Sequence, residues 1–100
     1  MGKLSRDRGL RNEQGVSNYL GPRWRRKHFE AADVTDDALF DLECKTRKSL
    51  PKYFWEWMAQ AVAAAAPGRV PAVVMREGGS EFGDALIVMR LKDFRDLHGG

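Results

Sequence analysis

The chain predicts a small α/β fold, a mixed central sheet flanked by helices, and three observations carry that expectation. Residues 5–21 and 49–68 space their apolar side chains at helical intervals. Residues 38–46, 69–79 and 84–91 show the alternation or the β-favouring runs of strands. The resulting order, helix, two or three strands, helix, strands and short helix, suits one sheet packed by helices.

SRDRGLRNEQGVSNYLG reads as an amphipathic helix that buries Leu10, Val16, Tyr19 and Leu20 and stops at Gly21-Pro22. Extended chain follows in RWRRKHFEAADV, with Trp24 and Phe29 as apolar anchors, and VTDD forms a turn. ALFDLECKT is a strand with Phe40, Leu42 and Cys44 on its dry side and Asp41, Glu43 and Lys45 on the other. SLPKYFWEWMAQAVAAAAPG is a helix with Ser49 as N-cap, Pro51 in its first turn and Pro67-Gly68 as its stop. Its buried stripe is Leu50, Phe54, Trp57, Met58, Ala61 and Ala65. RVPAVVMREGG and DALIVMRL form two antiparallel strands joined through GGSEFG, and LKDFRDL closes the chain as a short helix.

One hundred residues, 43% hydrophobic and 31% charged, describe a single globular domain over 1–100, with 1–7 and 97–100 as loosely held ends. No apolar run reaches the length of a membrane span, and MGKLSRDRGLRNEQ lacks the apolar core of a secretion signal, so a cytoplasmic protein with no membrane partner is expected. The single cysteine excludes an internal disulfide framework and a cysteine-rich zinc site.

Charge is distributed in blocks. Residues 1–28 carry eight Lys and Arg against two acids, residues 29–43 carry six acids and no base, and residues 44–100 carry nine bases against six acids. A basic segment, a compact acidic block and then the basic KTRKSLPK run fit a polyanion-binding face with an acidic pocket set into it. Within that block, Glu43 and Lys45 are two apart on a strand and therefore leave it on the same side. A turn at Thr35, Asp36 and Asp37 would bring Asp33 alongside Glu43, although Asp36, Asp37 and Asp41 are also near. Two converging carboxylates suit a hard divalent cation such as Mg²⁺, which takes one or two protein carboxylates and keeps its other positions for water and phosphate. A lysine beside them can stabilise charge on a phosphate.

These residues resemble the D…ExK signature of the PD-(D/E)xK nuclease superfamily, and more narrowly its Holliday junction resolvase-like branch of archaeal and phage type. Glu13 stands in the N-terminal helix where such resolvases carry a further acid, and Gln60, in WMAQA, matches a glutamine many members place towards the site. The resemblance covers residues 8–95 and implies a restriction endonuclease-like core. It implies that Asp33 and Glu43, with the Cys44 carbonyl, hold Mg²⁺ or Mn²⁺. Lys45 would orient or activate the attacking water, Glu13 would hold a water or second ion, and Gln60 would orient Lys45 or the nucleophile. The implied reaction is metal-assisted hydrolysis of DNA at four-way or other branched junctions. Another nuclease of the superfamily, or a non-catalytic DNA-binding protein on the same fold, are the alternatives.

For such a partner, Arg6, Arg8, Arg11, Arg23, Arg25, Arg26 and Lys27, with Arg47, Lys48 and Lys52, are the expected phosphate contacts. Tyr53, Phe54, Trp55, Trp57 and Met58 give the second long helix more aromatic surface than one core face needs, and two symmetric cuts call for two-fold symmetry, so a homodimer is expected.

Overall fold

The computed structural model describes the backbone of residues 2–27 and 33–100, with side chains from residue 9 onward. His28 and Phe29, and the side chains of Arg6 and Arg8, lie outside the described residues. The elements are α1 (Gly2–Leu20), β1 (Arg25–Arg26), β2 (Val34–Thr35), β3 (Asp41–Leu42), α2 (Lys52–Ala64), β4 (Ala72–Met75), β5 (Leu86–Met89) and α3 (Leu91–His98). They form two compact units, residues 1–48 with 95–100, and residues 49–94.

In the first unit β2 is the central strand, antiparallel to β1 and to β3, with Val34 opposite both Arg26 and Leu42. The last turns of α1 lie on this sheet. Leu20, Trp24 and Val34 are almost completely buried and make its core. Each such burial is worth about 1.5–3 kcal/mol. Two polar residues share that core with their hydrogen bonds satisfied. Ser17 Oγ donates to the Trp24 carbonyl at 3.0 Å. Thr35 Oγ1 donates to the Phe40 carbonyl at 3.1 Å and accepts from the Asp37 amide at 2.9 Å.

Two expectations about α1 are corrected. Leu10 stays exposed because the short strands cover only the helix's C-terminal turns, and Tyr19 stays exposed because it points about 100° away from the buried Leu20. Tyr19 instead has the Arg95 guanidinium over its ring, 4.4 Å from the centroid. The chain then reverses at Gly21, whose φ of 112° is the left-handed conformation that glycine adopts without strain.

Residues 98–100 are tied into that corner. Trp24 Nε1 donates to the His98 carbonyl at 3.0 Å, as does the Arg23 guanidinium, and Gly100 N donates to the Leu20 carbonyl at 2.8 Å. A Cβ on Gly21 would come to 2.9 Å from Gly100 N, so glycine is required there by contact as well as by conformation.

In the second unit α2 packs against β4, which pairs with β5 through Val73 opposite Val88 and Met75 opposite Leu86. The expected single mixed sheet is not formed among the described residues; there are two antiparallel sheets. The apolar strand Ala72–Met75 finds its partner across the nearby 76–85 connection, the pairing that costs least in loop closure.

The expected Ser49 cap is also absent. α2 begins after Pro51, which takes an extended N-cap conformation with no side-chain cap. Proline drives the residue before it out of helical geometry, so the start is delayed past it. Phe54, Met58, Ala61 and Ala65 are half-buried along the expected stripe, but Leu50 and Trp57 are exposed and no residue of α2 is fully buried.

Candidate functional site

The geometry of the first unit concentrates its acidic side chains around one hairpin. Residues 36–40 turn β2 into β3 around a single carboxylate: Asp36 Oδ1 accepts from the amides of Ala38, Leu39 and Phe40 at 3.1, 3.0 and 2.9 Å. Asp37 takes the left-handed φ of 59° and is held by a two-pronged ion pair from Arg25, at 2.8 and 3.0 Å. Asp41 meets Lys27 Nζ at 3.1 Å. All three carboxyls are held below the usual range. The Phe40 amide does so first for Asp36, the Arg25 guanidinium for Asp37 and the Thr35 hydroxyl for Asp41.

Asp33, directly before β2, has a different set of neighbours. Continuing the β2–β3 register by one residue puts it across from Glu43. Its own amide donates to the Leu42 carbonyl at 2.9 Å, and its Oδ2 accepts from the Cys44 amide at 2.6 Å. That amide is the main reason its carboxyl is lowered from the ordinary value; burial works in the opposite direction. The Glu43 and Glu13 side chains and the charge of the Lys45 ammonium lower it further. Lys45 Nζ stands 3.5 Å from Glu43 Oε1, both side chains largely exposed.

Glu13, Asp33, Cys44 and Lys45 therefore line one cleft of about 320 Å³, bordered by Asn12 and Thr46. The alternation expected for this strand persists past β3. Phe40, Leu42 and Cys44 are half-buried, whereas Asp41, Glu43 and Lys45 are exposed. Burial first and the charges of Asp33, Glu13 and Glu43 next push the Cys44 thiol up to about 11. It is a protonated thiol at neutral pH.

Gln60 is an exposed residue of α2, in the other compact unit. Apart from Arg26, which is half-buried, the predicted phosphate contacts with described side chains divide into two groups. Arg23, Arg25 and Lys27 serve as internal ties, to the His98 and Gly99 carbonyls, to Asp37 and to Asp41. Arg11, Arg47, Lys48 and Lys52 are exposed, Lys52 beside Glu56 at 3.5 Å. Asn12 as a wall of the cleft was not read from the sequence; its place next to Glu13 on the helix is the only signal that points to it.

Among the described residues no three His, Cys, Asp or Glu side chains are arranged as a ready ligand set for a metal ion. The donor chemistry nevertheless fits a hard cation. Carboxylates this close repel unless a proton or a cation lies between them, and Mg²⁺ needs only one or two of them. Asp33 and Glu43 are the residues that would hold it. No helix among the described residues is long and apolar enough to cross a membrane. No protein-family model, curated protein or solved structure matches the chain.

Proposed function

We propose that the chain is a Mg²⁺-dependent DNA endonuclease of the PD-(D/E)xK type, with a restriction endonuclease-like core, selective for four-way or other branched junctions. The observation that carries this reading is that Asp33, across from Glu43 in the hairpin register, shares one cleft with Glu13 and Lys45, whose ammonium stands 3.5 Å from Glu43. A bound Mg²⁺ would supply Lewis-acid stabilisation of charge on a phosphodiester. The chain's own residues supply the rest. The Cys44 amide fixes Asp33 and keeps it ionised, Lys45 presents a mobile cation to phosphate oxygens, and Glu13 adds an acceptor that can orient a water. Junction selectivity and the cytoplasmic setting rest on the resemblance and the sequence alone.

A homodimer belongs to the same proposal. The second unit leaves Trp55, Val74, Ile87 and Leu86 between 62% and 71% exposed, and apolar surface of this kind is normally covered. Sedimentation showing only an 11.3 kDa species at micromolar concentration would remove it.

The deciding experiment incubates labelled four-way junction and matched linear duplex with the protein, in Mg²⁺, Mn²⁺ or EDTA, alongside Glu43→Gln and Lys45→Ala. Cleavage of the junction by wild type alone, abolished by EDTA, is expected. Equal cutting of the linear duplex would remove junction selectivity and leave a nuclease. Binding without cutting in either ion would favour the non-catalytic reading.

A further inference from the structure

A second concave site lies on the other side of α1. Gln14, Asn18, Trp24 and Arg26 help to line a cleft of about 470 Å³ between the C-terminal half of that helix and β1. Gln14 directly follows Glu13, so this cleft opens about 100° further round the helix than the carboxylate cleft.

Its charge comes from strand geometry. Successive side chains of a strand leave on opposite sides, and β1 consists of two arginines. Arg25 goes to Asp37, where both prongs of its guanidinium are spoken for. Arg26 is half-buried, and among the described residues its guanidinium has no carboxylate or carbonyl partner. A guanidinium that lines a cleft without a protein acceptor is available for a charge-assisted hydrogen bond to an anion.

The neighbouring groups fit that anion. The Gln14 amide donates to Asn18 Oδ1 at 2.8 Å, which fixes both side chains and leaves the Asn18 amide protons free to donate. No acidic residue lines the cleft. A planar guanidinium with amide donors beside it matches the tetrahedral oxygens of phosphate, and the basic excess of residues 1–28 favours a polyanion as its source.

We propose that the α1–β1 cleft binds a phosphate group, with Arg26 as the charged anchor and Asn18 and Gln14 as donors. The group is either a phosphodiester of a nucleic-acid strand or a free phosphate. No carboxylate or metal takes part, so the site stands or falls separately from the hydrolytic proposal.

The test is a titration of the ¹⁵N-labelled full chain in EDTA, first with inorganic phosphate and then with a short single-stranded DNA oligonucleotide. The Arg26 Nε–H and the Gln14 and Asn18 side-chain amides are followed. Saturable shifts at these groups are expected, weakened about tenfold or more in Arg26→Gln and partly kept in Arg26→Lys. Asn18→Asp, an exposed helix position, places a negative charge in the cleft and should abolish binding without disturbing β1. Tighter, salt-sensitive binding of the oligonucleotide identifies a strand phosphate as the ligand; equal binding identifies the free group. Either result supports the site. Absence of saturable shifts with both probes, or wild-type affinity in Arg26→Gln and Asn18→Asp, overturns it.

Discussion

The amide of Cys44 donates to Oδ2 of Asp33 at 2.6 Å, a bond between residues eleven apart that closes the acidic hairpin. It separates two roles of Asp33 that mutation can test individually. Asp33→Asn keeps an acceptor for the amide but loses the charge, whereas Asp33→Ala loses both. If the proposed chemistry holds, both variants should lose junction cleavage by more than about 100-fold, since even outer partners of metal sites are worth about 10- to 100-fold. Asp33→Ala should also be about 1 kcal/mol less stable than Asp33→Asn in urea unfolding, because it alone loses the acceptor.

The same bond sets a pH dependence. The Asp33 carboxyl is held below its ordinary value of 3.8. The folded state therefore favours the ionised form, and this contribution is complete above the ordinary value and disappears as pH falls through the lower folded one. The advantage of wild type over Asp33→Asn should accordingly be constant near neutrality and shrink only in acid. Urea midpoints measured for both proteins down a pH series check the sign.

Asp37 offers a test of backbone against charge. Its φ of 59° costs an ordinary L-residue roughly 1–2 kcal/mol, while its pair with Arg25 is exposed and screened by solvent. Asp37→Gly should be close to neutral and Asp37→Ala clearly destabilising. Equal stability of the two variants would mean that the ion pair, not the turn, decides this position.

The corner at Trp24 predicts the largest stability losses. Trp24→Ala removes a core side chain and should cost roughly 3–5 kcal/mol. Trp24→Phe keeps most of the volume but drops the bond to the His98 carbonyl, for about 1 kcal/mol. Gly21→Ala should destabilise through both its φ and its contact with Gly100. Thermal melts of the three variants should rank with Trp24→Ala lowest.

Cys44 should alkylate slowly. Its thiol, pushed up to about 11, carries little of the reactive thiolate at pH 8. Iodoacetamide should label it well below the rate of a free thiol, and faster in Glu13→Gln or Asp33→Asn, where a nearby negative charge is gone.

Local patterns in the sequence account for much of this architecture. The turn at Asp36 and Asp37, the alternation from Phe40 to Lys45, the antiparallel pairing of 72–75 with 86–89 and the terminal helix all follow from neighbours within a few residues. Val34 and Thr35, expected in that turn, instead form the buried central strand. The nearness of Asp33 to Glu43 follows from hairpin arithmetic once that turn is placed. What spacing does not reveal is long-range or competitive. The Trp24–His98 bond joins residues 74 apart, and nothing local to RWRRK indicates that Arg23, Arg25 and Lys27 are tied internally while Arg26 is not. Ser49 has the composition of a cap, but the proline two residues on governs where the helix can begin.

The tryptophans are divided between the two units: Trp24 is 3% exposed in the first, and Trp55 and Trp57 are 62% and 41% exposed in the second. The molecule thus carries its own pair of optical reporters. Acrylamide should quench the red-shifted emission of the second unit and spare the blue-shifted emission of Trp24. A single fluorescence unfolding experiment, resolved by quencher, can then tell whether the halves melt in concert or one at a time.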